Sequence, residues 1–234
     1  MRINHNMSTI VANRQLQHVS GKLDKSFEKL TSGETINRAG DDASGLAVSE
    51  KMRSQIGGLL QAERNAQNGL SFIQVTEGSL HQLSDILQRI RVLSVQAANG
   101  IYSNHDRLQI QVEVSQLIEE IDRIATSAEF NRLKMLTGEY SKDSKAGSIF
   151  FHVGPNQDQR IRAFIGTMSA KALNLRGSVN EKRSISTVGD ANAMIGYVDL
   201  ALDRLNRQRA DLGAYYNRME NTVMALARSH ENML

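Results

Sequence analysis

One proline in 234 residues, Pro155, constrains this chain more than any other feature. Proline locks φ, removes a backbone donor and interrupts helices, and ordinary globular chains use it at roughly 5% of positions. Its confinement to one central stretch leaves long segments free to form continuous helix. Apolar spacing predicts that they do. From Met52 a seam alternating between three and four residues runs through Ile56, Leu59, Glu63, Ala66, Leu70, Ile73, Glu77 and Leu80, then after one slip through Leu83, Leu87 and Ile90. The helix is expected to open at Asp41-Asp42 and close near Asn99-Gly100, a rod of roughly 80 Å at about 1.5 Å per residue. Gly57, Gly58, Gly69 and Gly78 lie inside it. Each costs about 1 kcal/mol relative to alanine, so these positions should mark a close neighbour or a gentle bend.

A second seam follows at Ile110, Val114, Leu117, Ile121 and Ile124. The short turn at Asn99-Gly100, with Ser103-Asn104 as cap candidates, returns it antiparallel to the first helix. Glu119 and Arg123, four apart, read as a helix-supporting pair. The last seam is the most regular: Val198, Leu202, Leu205, Arg209, Leu212, Tyr216, Met219, Val223, Leu226, His230 and Met233, expected to stay helical to the final residue. Ahead of all these, Val19, Leu23, Phe27 and Leu30 form a short seam. Ile3, Met7 and Ile10 precede it in another register, and Thr31-Ser32-Gly33 ends it. A lone helix of that length is marginal in water and needs a partner.

The helical period is lost between about Gly138 and Asp190. Ser141 to Gly147 reads as loop, Ser148 to Val153 as a strand, and Arg160 to Ile165 as a second strand reached through the turn Gly154, Pro155, Asn156. The expected class is therefore mainly α: an elongated antiparallel helical bundle or coiled-coil rod with a small β-hairpin region.

Composition excludes several functions. There is no cysteine, hence no disulfide, thiolate metal site or cysteine nucleophile. The 28 basic and 25 acidic residues are interleaved, giving a net charge of +3 without the clustered basic face that nucleic acid requires. No run approaches the roughly 18 apolar residues of a membrane span, and the N-terminus does not lead into a secretory signal peptide. The histidines His5, His18, His81, His105, His152 and His230 show no zinc spacing. Glu119, Glu120 and Asp122 point in different directions on a helix and cannot share a metal. Asp41 and Asp42 read as a helix-capping pair. No catalytic, cofactor-binding or metal site is expected, and no cofactor.

Against this background particular stretches become specific. Leu30 to Asn37 (Leu-Thr-Ser-Gly-Glu-Thr-Ile-Asn), Asp41 to Ala47, Glu63 to Gly69, Gln88 to Gln96, Glu119 to Arg123 and Phe130-Asn131 resemble the N-terminal signature of bacterial flagellins. Arg209 to Ala214 with Asn217-Arg218 is similar to the start of the C-terminal flagellin region. Gly100 to Asn104, Phe151 to Gln157, Ile165 to Met168 and Lys171 to Leu173 resemble the core flagellins of spirochaete periplasmic filaments. Thr35 stands where many relatives carry arginine.

The resemblance implies a structural, non-enzymatic filament subunit for motility, exported through the flagellar apparatus and located in a periplasmic flagellum or, alternatively, an extracellular filament. It implies an inner-tube helix over 1–33, a spoke or linker over 34–45 with Asp41 and Asp42, and a rod over 46–137. A hairpin region over 138–190 and a last rod helix over 191–234 complete the division, and a terminal helix is expected beyond Leu234. The implied partners are other flagellin subunits, the export apparatus and its chaperone, sheath proteins and an innate immune receptor. Gln88, Arg89, Leu93, Gln96 and Glu113 are the residues carried over for subunit packing or receptor recognition. The rivals are a hook–filament junction protein, a secreted coiled-coil effector, and a flagellin-type metalloprotease whose metal motif residues 138–190 lack.

Overall fold

A computed structural model describes residues 6–142, 147–177 and 182–233; Ile3, His5, Leu234 and part of the predicted 141–147 loop lie outside them. The chain divides into two compact units, residues 1–57 and 58–234.

In the first unit, helix α1 spans Met7–Ser32. Asn6 caps it by accepting from the Thr9 amide at 3.4 Å, and Gly33, at φ 72°, ends it in the left-handed conformation that glycine adopts without steric cost. The following loop is tied back to α1 by the Arg38 to Glu28 ion pair at 2.7 Å and by the Asn37 side-chain amide donating to the Glu28 carbonyl at 3.2 Å. No residue of α1 is buried: Leu16, Phe27 and Leu30 are 70%, 61% and 82% exposed. The apolar stripe read from the sequence is present and uncovered.

Helix α2 runs Ala43–Ala98, close to the predicted limits. From Gly58 onward it forms the spine of the second unit with α3 (Asn104–Ser127) and α4 (Val188–Glu231). Both lie antiparallel to it. Arg89 meets Glu113 on α3, while Arg91, Glu77 and Gln74 meet Asp199, Arg209 and Tyr216 on α4, the numbers falling on one helix as they rise on the other. The buried line on α2 is Leu59, Ala62, Ala66, Gly69, Ile73, Thr76, Leu80, Leu83, Leu87 and Ile90, an uninterrupted alternation of threes and fours. The predicted seam coincides with it at Leu59, Ala66, Ile73 and from Leu80 on. It departs at Glu63, Leu70 and Glu77, because the packed positions between them are held by small residues that a search for large apolar side chains passes over.

Two of the four helix glycines mark close approach. A Cβ at Gly58 would sit 2.8 Å from Pro155 Cβ, and one at Gly69 would sit 2.9 Å from both Met219 Sδ and Phe151 Cδ1. Gly57 and Gly78 have open space at that position, so no close neighbour accounts for them. Alanine at either position would meet nothing within 4 Å.

Two antiparallel hairpins complete the unit. Strands β3 (Ile149–His152) and β4 (Arg160–Ala163) pair as predicted, joined through Gly154, Pro155 and Asn156. Ile161 and Ala163 turn inward and Arg160 and Arg162 outward, as a two-residue period requires. The other hairpin, β1 (Glu129–Phe130) with β2 (Leu133–Lys134), is not foreseen in the sequence. Its turn residues Asn131 and Arg132 have φ of 48° and 66°, the primed-turn conformation, but Asn-Arg lacks the glycine that usually announces it. Phe130 then packs edge-on against Phe72 at 5.6 Å, with Phe151 on the same ring at 5.8 Å.

The irregular segment between β4 and α4 is fixed by side chains reaching out of helices. Gln208 accepts from the Gly166 amide at 2.9 Å and donates to the Phe164 carbonyl at 3.1 Å. Asp122 accepts from the Ala170 amide at 2.8 Å and from Arg176 at 2.7 Å. The three acidic residues on α3 thus diverge: Glu119 meets Lys182, Glu120 meets Arg123 and Asp122 holds Arg176. That corrects the predicted Glu119 to Arg123 pair. Arg123 takes the carboxylate three residues back, a neighbour on the same face, and the hydrogen bond lowers the Glu120 pKa and raises that of Arg123. Helix α4 opens on Thr187, which accepts from the Asp190 amide. It closes at Glu231, short of the predicted final residue, with the Asn232 amide donating to the Arg228 carbonyl at 3.0 Å.

Candidate subunit-packing surface

Asp42 is the cap of α2: one of its carboxylate oxygens accepts from the amides of Ser44 and Gly45, both at 3.0 Å. These are orphan donors of the first turn, and the carboxylate also faces the positive end of the helix dipole. A Cβ at Gly45 would lie 2.5 Å from that carboxylate and 2.8 Å from Ile36 Cδ1, so glycine there lets the cap close. Asp41 does not share the role. It turns away from the helix to accept from the Arg38 amide at 3.4 Å and to face Lys25 at 3.9 Å, closing the preceding turn. The expected capping pair is one cap and one turn lock, because successive carboxylates cannot reach the same amides.

At the other end of the second unit's spine, α2 and α3 are joined by a turn built on Arg107. Arg107 is 4% exposed, and its guanidinium donates to the carbonyls of Ala97 at 2.9 Å and Asn99 at 3.1 Å, and to the Asn104 side chain at 2.9 Å. It satisfies carbonyls that end α2, where a cation is also favoured by the dipole. Ser103 and Asp106 form a reciprocal capping box, and the Ser103 hydrogen bonds hold the Asp106 pKa below its ordinary value. The sequence offers no warning of Arg107, since a lone arginine near a turn reads as solvated.

Between these ends lie the five residues carried over from the resemblance. Arg89 and Glu113 form an ion pair between α2 and α3 at 2.6 Å, with side chains 54% and 44% exposed. Gln88 is exposed and donates to Ser84 at 3.4 Å, and Gln96, also exposed, donates to the Tyr102 hydroxyl at 3.4 Å. These four are brought together on one side of the α2 and α3 pair. Leu93 is not. It is 3% exposed and belongs to the core, because it falls on the buried line that continues Leu83, Leu87 and Ile90. The residues that do present apolar surface here are ones the seam reading leaves out: Val92 and Val95 on α2, Ile101 in the turn, and Leu108 and Val112 on α3, from 50% to 83% exposed. Their signal in the sequence is an apolar residue off the three-four line. Gly154, Pro155 and Asn156 serve as the hairpin turn, fastened by the Gln159 side chain accepting from the Asn156 amide at 3.0 Å.

Residues 3–141 match the family described as bacterial flagellin N-terminal helical region. Flagellin FlaB1 of Treponema pallidum is 59% identical over 238 residues, covering 100% of this chain and 83% of that protein. The flagellar filament core protein flaB2 of Brachyspira hyodysenteriae is 54% identical over 236 residues, covering 99% and 83%. Among solved structures, Bacillus cereus flagellin superposes with a TM-score of 0.57 at 24% identity, over 70% of this chain and 88% of that one, which supports the fold. With a family match over more than half its length and relatives this similar along all of it, the chain belongs to the bacterial flagellin family.

Proposed function

We propose that this chain is a structural core subunit of a spirochaete periplasmic flagellar filament, and that it packs against neighbouring subunits through the exposed side of the α2 and α3 pair. Relatives named as flagellins and filament core proteins support the first part. The second rests on one observation: Val92, Val95, Ile101, Leu108 and Val112 stand exposed on α2, α3 and the turn between them, around the Arg89 to Glu113 pair. Burying such side chains contributes about 25 cal/mol per Å² of apolar surface, and a chain that repeats its contacts along a helical filament gains it at every subunit. The Arg89 to Glu113 pair lies within the subunit and, being exposed, contributes at most about 1 kcal/mol to holding α3 on α2. On a released subunit the same side would be open to an innate immune receptor.

The test replaces Arg89→Asp and, separately, Val112→Glu in the protein produced by its own cell. Filaments viewed by electron microscopy should be lost or shortened in both, while the isolated subunits keep their helical circular dichroism. Filaments of normal length and abundance from either variant would remove this surface from the packing.

A further inference from the structure

The chain contains two Asn-Gly pairs, Asn68-Gly69 and Asn99-Gly100, in opposite environments. An asparagine followed by glycine is the dipeptide most open to spontaneous deamidation, because no Cβ hinders attack of the following amide nitrogen on the side-chain carbonyl. The reaction needs that nitrogen accessible, unbonded and free to swing toward the side chain. Gly69 is buried in the interior of α2, where its amide is committed to the helical hydrogen bond with the carbonyl four residues back. Asn99-Gly100 is exposed in the turn after α2. There the Asn99 amide donates to the Gln96 carbonyl and the Tyr102 amide to the Asn99 carbonyl, and neither bond uses the Gly100 amide. Moreover, the Asn99 side-chain oxygen accepts from the Ile101 amide at 3.3 Å. That donor polarises the carbonyl under attack and meets the negative charge that develops on its oxygen.

We infer that Asn99 is a built-in site of spontaneous succinimide formation and isoaspartate conversion, whereas Asn68 is protected by its helix. The Gly100 nitrogen loses its proton to solvent base and bonds to the Asn99 side-chain carbonyl carbon. The bond from that carbon to Nδ2 breaks, and Nδ2 leaves as ammonia. Water then opens the cyclic imide at either carbonyl, giving aspartate or isoaspartate. The isoaspartate product carries an extra main-chain methylene where the Asn99 carbonyl accepts from buried Arg107, so modification loosens the joint between α2 and α3. It also places a new carboxylate three residues from Gln96, at the edge of the proposed packing surface. The chemistry at Asn99 stands independently of that surface.

The folded full chain is incubated in mildly alkaline buffer, digested, and analysed by mass spectrometry with isoaspartate methyltransferase labelling. The Asn99 peptide should gain the deamidation increment at least about tenfold faster than the Asn68 peptide, and the two rates should converge in denaturant, where neither pair keeps its backbone geometry. Gly100→Ala adds a Cβ that meets nothing within 4 Å. It should keep the helical spectrum and slow the Asn99 reaction about tenfold, since the methyl restricts the backbone and screens the nitrogen. Equal rates at the two sites in the folded chain, or an unchanged rate in Gly100→Ala, would overturn the assignment.

Discussion

Three glycines on one helix offer an internally controlled measurement of packing. In α2, Gly78 faces open space, whereas a Cβ at Gly69 would press at 2.9 Å on the Phe151 ring and on Met219 Sδ. Gly58 meets Pro155 at 2.8 Å, and the next atom, Pro155 Cα at 3.2 Å, is backbone that cannot rotate aside. Alanine at any of the three gains about 1 kcal/mol of helix propensity. At Gly78 nothing opposes that gain. At Gly69 and Gly58 overpacking costs about 1–3 kcal/mol, since the Met219 sulfur can yield but the Phe151 and proline rings cannot easily do so. Gly78→Ala is therefore expected to stabilise by about 1 kcal/mol, and the other two to range from neutral to about 2 kcal/mol of loss. At about 2–4 °C per kcal/mol for a unit of this size, the difference of about 1–3 kcal/mol should separate the thermal midpoints of Gly78→Ala and Gly69→Ala by roughly 2–12 °C. Far-ultraviolet circular dichroism on heating reads this directly. A Gly69→Ala protein raised as much as Gly78→Ala would refute the claim that α4 and the β3 hairpin close down on α2 at that point.

Two further outcomes follow from the joint between α2 and α3. Arg107→Met keeps the aliphatic stem but strips three hydrogen bonds, leaving the Ala97 carbonyl in a buried setting; a loss of about 2–4 kcal/mol in denaturant unfolding is expected, and under 1 kcal/mol would show that water replaces the guanidinium. Asp106 has its folded pKa lowered by Ser103, so its contribution is fully present above the ordinary carboxylate range and is lost as pH falls through the folded value. The thermal midpoints of the natural chain and Asp106→Asn should accordingly separate at neutral pH and converge in acid, and a separation that persists in strong acid would count against the capping box.

Much of this was legible before any coordinate. The helix limits at Asp42 and Asn99, the Ser103 cap, the break at Gly33 and the β3 to β4 pairing all depend on groups a few residues apart, and such local chemistry is written in order along the chain. The family was legible too, in motifs spread from Leu30 to Arg218. Other features escaped for a common reason. Ala62 is a core position because Leu226 of α4 packs there, and Leu93 is core while Val92 is exposed because α3 and α4 cover one side of α2 and leave the other bare. Arg107 is buried only because two helix ends meet over it. The single proline shows both sides of this division. Its presence in the one predicted hairpin turn was fixed by the local rule that proline cannot sit within a helix. That its ring rests on Gly58, making that glycine a packing position and its neighbour Gly57 a bystander, was decided only when the chain folded and brought residues far apart in sequence into contact.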